Sequence, residues 1–133
     1  MAAEQRALVV RWLEAGDAGD VDAFDELFHP DAVVHAPLGL STTSVEEEKS
    51  VWRKAVEAMP GIRHDVQEVV IEGDVEMARV VVSGRMTSEF GGLAGTGRPF
   101  RIDQAVIAHL RDGRIAEAWE IADIAALREQ ITG

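Results

Sequence analysis

The chain has 133 residues, with 24 acidic and 13 basic side chains and a formal charge of −11. That length fits a single domain over residues 1–133, large enough to bury a core. The acidic balance argues against nucleic acid or anionic lipid as a partner, and the lack of cysteine excludes disulfides, thiolate nucleophiles and cysteine-held metals. The start carries Glu4 and Arg6 before a short apolar run, Ala7 to Val10, so no signal core is visible. No stretch approaches the length of a membrane span, and a cytoplasmic protein is the expectation.

The first half reads as helices. Ala7, Leu8, Val9, Trp12 and Leu13 recur at helical spacing, closed by Gly16 and Gly19. Asp20 then opens a short second helix with Val21, Phe24, Leu27 and Phe28, which stops at His29-Pro30. A short strand, Ala32 to Ala36, and a loop, Pro37 to Thr43, follow. Ser44 and Glu47 have capping-box spacing and open a third helix whose stripe is Val45, Trp52, Val56 and Met59. Glu46-Glu47-Glu48 reads as a solvated first turn, where acidic side chains suit the helix dipole.

The second half reads as strands. Val66 to Glu72 and Val75 to Phe90 flank the turn Gly73-Asp74. Gly91 to Gly97 is a glycine-rich loop without the spacing or lysine of a phosphate-binding loop. Phe100 to Leu110 and Ile115 to Asp123 form a second hairpin, and Ile124 to Thr132 closes the chain as a helix or tail, with Asp123 as a candidate cap. Helices followed by strands predict an α+β fold. Its long strands would curl into a cone of antiparallel sheet, with the N-terminal helices across the mouth. Such a cone suits an apolar ligand.

The loop of the last hairpin decides which residues look inward. A three-residue loop, Arg111-Asp112-Gly113, sets Gln104 opposite Glu120, Val106 opposite Ala118 and Ala108 opposite Ala116. The small residues then share a wall with Gln104 and Glu120. Ala105, Ile107, His109, Ile115, Glu117, Trp119 and Ile121 form the other wall. A two-residue loop, Asp112-Gly113, would set Glu120 across from Ala105 and swap one strand's faces. The three-residue loop is preferred, because four small side chains on one wall leave space for a ligand. Desolvation there would raise the pKa of Glu120 and make it a proton carrier. At a strand end it would simply be wet.

Among the other polar side chains, His35 is a candidate pocket base or hydrogen-bond donor. His29 reads as a helix-end residue, His64 as exposed and His109 as packing on the outer wall. No metal-ligand spacing links the four histidines, so no metal site is expected. Trp12, Phe28, Trp52, Val82, Met86, Val106 and Ala118 are candidate pocket or core positions. No GxSxG elbow appears.

Several segments carry a resemblance. They are Leu27-Phe28-His29-Pro30-Asp31 with Val34-His35, Glu72-Gly73-Asp74, Gly95-Thr96-Gly97-Arg98-Pro99-Phe100, and Asp112-Gly113 through Trp119-Glu120 to Leu127 and Gln130. With these the chain resembles the SnoaL-like polyketide cyclases, of the nuclear-transport-factor-like cone fold shared with ketosteroid isomerases. The resemblance implies a cofactor-independent enzyme that closes a ring by an intramolecular aldol reaction in an apolar pocket. Its substrate would be a small apolar or polyketide-like molecule. It further implies an acid–base carboxyl at Glu120, a polar partner at Gln104, a polar group supplied by His35, and a homodimer paired through the outer face of the sheet. Two departures stand out. Glutamate replaces the family's aspartate, and Val106 occupies the position of its histidine. The alternatives are a ligand-binding or assembly module of the same fold, or an isomerase or epoxide-opening enzyme.

Overall fold

The computed structural model of the chain describes residues 7–132, so the charged start at residues 1–6 lies outside the described residues. Helix α1 (Leu8–Asp17) buries Leu8, Val9, Val10, Trp12 and Leu13, as its spacing predicts. Its first turn has no side-chain cap of its own. Instead the Val9 N–H donates to Glu76 Oε1 at 3.0 Å, so a carboxyl from the sheet serves the helix N-terminus. A 3-10 turn at Val21–Ala23 leads into the single-turn helix α2 (Phe24–Leu27). The chain then extends sooner than predicted. Phe28 begins strand β1 (Phe28–His35) rather than ending a helix, and His29-Pro30 lies within that strand. Proline fits there because β1 is an edge strand whose register is irregular between Phe28 and Val33.

Helix α3 (Val45–Ala58) starts where predicted. Ser44 Oγ accepts from the Glu47 N–H at 3.1 Å, while Glu47 Oε1 accepts from the Thr43 N–H at 2.7 Å. The reciprocal bond thus lands one residue before the usual capping-box donor. Strands β2 (Arg63–Glu72), β3 (Val75–Arg85), β4 (Pro99–Arg111) and β5 (Arg114–Ala122) follow. β3 stops at Arg85, short of the predicted Phe90. Beyond it the chain turns back on itself, with Phe90 bridged to Leu93 across Gly91-Gly92, both at positive φ. Asp123 caps the last helix, α4 (Ile124–Thr132), accepting from the Ala126 N–H at 3.0 Å.

The sheet order is β1-β5-β4-β3-β2. Three of the four pairings are antiparallel and β1 runs parallel to β5, so the sheet is mixed. The fold is α+β, a curled five-stranded sheet with helices packed on its inner face. A bulge at Gln67 in β2 swaps its faces, so that His64 and Val66 look inward before it and Val69 after it.

The last hairpin corrects the predicted register. Asp112 and Gly113 both have positive φ and form a two-residue turn, with Arg111 opposite Arg114. That turn alone would have brought Ala105 opposite Glu120. A bulge at Ala116 adds one more step, so Val106 faces Glu120, Ala108 faces Ala118 and Gln104 faces Ala122. The slip from the preferred register is therefore two residues, which preserves the face of every residue beyond the bulge. Gln104 and Glu120 share the inner wall as predicted. Ile115, before the bulge, turns inward and is fully buried, contrary to its expected place on the outer wall.

The narrow end of the curl is filled. Trp12 meets Phe28 edge-on at 5.1 Å, and Phe24 tilts against Phe28 at 5.5 Å. Gly16 allows Trp52 to lie across α1, since a Cβ at Gly16 would come within 2.3 Å of the Trp52 ring. Among the described residues no helix is long and apolar enough to cross a membrane.

Candidate functional site

At the wide end the curl encloses a cavity between α3, the inner face of β3 to β5, α4 and the loop after β1. The cavity has a volume of about 120 Å³ and opens to solvent. Its walls are apolar apart from Glu120, Gln104 and His64. Val82, Met86 and Trp52 line it, as the sequence suggested.

Glu120 on β5 sits deep among protein atoms, with some of its surface open to the cavity. Burial pushes its carboxyl well above the usual carboxylate range, and the nearby charge of Glu48 pushes it further. Among the described residues no hydrogen bond offsets that cost. Gln104 is a diagonal neighbour on β4, because Val106 stands directly opposite Glu120. Its Oε1 is buried without a hydrogen-bond partner. An unpartnered carboxyl and an unpartnered amide oxygen on one apolar wall carry a desolvation cost that a polar ligand atom would relieve.

Glu48 was expected in solvent, yet it is only 2% exposed. Its Oε1 accepts from the Thr42 hydroxyl at 2.9 Å and its Oε2 from the Trp52 indole N–H at 2.9 Å. Burial raises its pKa and those bonds pull it back down. The sequence held a signal for this, since Glu48 falls three residues after Val45 and four before Trp52, on the buried stripe of α3.

His64 was also expected to be exposed, and its side chain is 7% exposed. It faces the cavity because it pairs with inward-facing Val82 before the β2 bulge. Its ring packs on Trp52, with centroids 5.1 Å apart. Asp17, the last residue of α1, accepts from the His64 backbone N–H at 2.7 Å and pairs with its Nδ1 at 2.6 Å.

The structure separates His35 from the cavity. His35 ends β1 on the outer face of the sheet, opposite Trp119. Its Nε2 donates to Glu117 Oε2 at 2.7 Å, and its ring stacks on Trp119 at 5.2 Å. Strand alternation decides this, because Val34 takes the inward position. His109 lies on the same outer face as expected, edge-on to Trp119 at 4.8 Å. His29 is a strand residue, with Nε2 donating to the Arg111 carbonyl. Four proposed pocket residues belong to the packed core instead. Trp12, Phe28, Val106 and Ala118 are at most 1% exposed and line no part of the cavity. They sit toward the narrow end, where aromatic rings leave no room. Among the described residues no three His, Asp or Glu side chains converge as a metal site requires.

The model of the family described as SnoaL-like polyketide cyclase matches residues 7–131. The chain belongs to that family. A curated relative, the aklanonic acid methyl ester cyclase AcmA of Streptomyces galilaeus, is 32% identical over 114 residues, covering 84% of this chain and 79% of its own. The solved structure of wild-type IdmH from Streptomyces antibioticus is similar at 31% identity and a TM-score of 0.80, covering 95% of this chain and 96% of that one. TsrD from Streptomyces laurentii is similar at 25% identity and a TM-score of 0.86, covering 99% of this chain and 97% of that one.

Proposed function

We propose that the chain closes a ring in a polyketide-like substrate by general acid–base catalysis, without a cofactor. Glu120 is the base. As carboxylate it removes a proton from carbon beside a carbonyl, and the enolate so formed attacks a second carbonyl in the same molecule. The observation that carries this reading is the unpaired Glu120 carboxyl facing an apolar cavity. Burial that raises its pKa also makes its ionised form a stronger base. Gln104, whose buried Oε1 has no partner, turns its amide to hold a substrate hydroxyl or enol. The apolar walls fold the chain of the substrate so that its two reacting carbons meet, which is most of what an intramolecular closure requires. His35 has no part in this scheme, since its ring lies on the other face of the sheet.

The test uses aklanonic acid methyl ester, the compound in the name of the relative AcmA. Ring closure by the wild-type chain and its loss in Glu120→Gln, with the fold intact, is the expected result. Closure by Glu120→Gln at the wild-type rate would remove Glu120 from the mechanism. A second reading, ligand binding without turnover, is favoured by Val106, which leaves the family's histidine position with an aliphatic group. A compound that binds the cavity tightly and returns unchanged, from wild type and Glu120→Gln alike, would favour it.

The outer face of the sheet supports a homodimer. Met77 and Ile121 are 44% and 58% exposed there, beside Ile107 and Trp119. Such a contiguous apolar row is the kind of surface that a second copy covers. Sedimentation at micromolar concentration should give twice the chain mass, and Ile121→Lys should give one.

A further inference from the structure

We infer that His64, oriented by Asp17, is the second proton carrier of the cavity and gives the new alkoxide its proton. The inference rests on Glu120 as the base and adds the acid that Val106 cannot supply.

The geometry carries it. An ionised carboxylate only accepts hydrogen bonds, so the 2.6 Å contact with Asp17 puts a proton on Nδ1 and leaves Nε2 as the working nitrogen. The same carboxylate holds the His64 backbone N–H at 2.7 Å, so main chain and ring are fixed together. Trp52 packs on the ring and limits its rotation. Among the described residues Nε2 makes no hydrogen bond, and His64 is part of the cavity wall. On its other side His64 meets a surface depression that it shares with Asp17, Glu14, Arg63 and Asp65, where the Asp17 side chain is 19% exposed. The pair therefore spans from the cavity to solvent, as a route for protons must.

The spacing also fits. Glu120 on β5 and His64 on β2 are three strand spacings apart, about 14 Å across the sheet, and His64 is also displaced along its strand, since Glu120 aligns through Val106 and Ala78 with Val69. The curl turns the two toward one space, so they flank a ligand lying between them. In the step, Glu120 takes the proton from carbon and the C–H electron pair becomes the enolate. The enolate carbon bonds to the acceptor carbonyl carbon, and the carbonyl π pair moves to oxygen. That oxygen takes the Nε2 proton of the imidazolium. One proton now sits on Glu120 and one is missing from His64. Glu120 then releases its proton to water and His64 takes one up from solvent, so both are restored and no net acid or base is consumed. Asp17 acts through His64 and is a positioning residue.

The experiment follows two events in D2O on aklanonic acid methyl ester, exchange of the acidic C–H and closure of the ring. Glu120→Gln should lose both. His64→Gln, which keeps a similar size but has no transferable proton, should keep exchange within about threefold while closure falls about 10²-fold or more. Asp17→Asn, whose amide would donate to Nδ1 and reverse the tautomer, should lower kcat for closure with KM little changed. Closure by His64→Gln within about threefold of wild type overturns the inference, and so does a loss of exchange and closure in proportion. Exchange that survives Glu120→Gln overturns the Glu120 reading itself and the paired step with it. A second measurement needs no turnover. The side-chain Nε2 resonance of His64 should shift when 2-naphthol, an aromatic enol mimic, saturates the wild-type protein. A resonance that stays fixed at saturation places Nε2 away from the ligand and overturns the inference.

Discussion

The two ends of the curled sheet solve opposite problems with the same strands. At the narrow end Trp12, Phe24 and Phe28 fill the space, and the carboxyl of Glu76, only 5% exposed, serves the first turn of α1. At the wide end Glu120 and Gln104 are enclosed by apolar walls and left without partners. A paired buried carboxyl holds the fold together, whereas an unpaired one costs stability and is available to a ligand. Stability and chemistry are thus separated along β3, β4 and β5 by a few residues.

The largest expected effect comes from removing the unpaired group. Glu120→Gln should reduce turnover about 10²- to 10⁴-fold, the usual span for a general base. Its stability should change in the other direction. In the unfolded chain the carboxyl loses its proton near its ordinary value of about 4.3. The folded protein keeps that proton to higher pH. Between those two values the native state binds more protons than the unfolded one, so wild-type stability falls as pH rises. Gln removes that loss. Calorimetry should find the variant more stable than wild type at pH 8 and the difference gone at pH 4. A variant less stable at pH 8 would contradict the picture of a costly unpaired carboxyl.

Next in size is the contact that joins the two ends. Gly16→Ala places a Cβ against the Trp52 ring, which also lines the cavity. Overpacking of this kind costs about 1–3 kcal/mol, against a helix gain of up to about 1 kcal/mol for alanine over glycine. Urea unfolding should show a net loss, and naphthol should bind more weakly as Trp52 moves. At the narrow end, Glu76→Ala should cost about 1 kcal/mol by orphaning the Val9 N–H, and Glu76→Gln should recover most of it because the amide oxygen still accepts. Equal losses from both would mean that charge, rather than the hydrogen bond, is what α1 uses.

The smallest expected effect is a shift of pH dependence. The charge of Glu48 helps to raise Glu120. Glu48→Gln should therefore let Glu120 ionise at lower pH and move the acid limb of kcat/KM downward, with the plateau rate nearly unchanged. An unmoved limb would leave burial as the whole cause. Gln keeps one acceptor, for Thr42 or for the Trp52 indole, and its NH2 opposes the other donor, so the variant should also lose some stability while the limb shifts.

Much of this molecule was written locally. The Ser44 and Asp123 caps, both hairpins and the inward face of Glu120 and Gln104 follow from spacing, turn residues and strand alternation, which depend on near neighbours alone. The turn at Asp112-Gly113 needed tertiary structure because two loop lengths suit the same residues, and only the bulge at Ala116 made both routes end on the same face. Tertiary structure also decided which polar side chains share the cavity. His35 was turned to the outer face by the alternation of β1, with Val34 inside. His64 was enclosed by Trp52 and Asp17, which are distant in sequence. Glu48 was buried by Thr42 and Trp52 despite lying in a run of three glutamates. Alternation and capping are properties of a segment and can be read along it. Burial of a charge depends on which distant groups close over it, and that is settled only when the sheet curls against its helices.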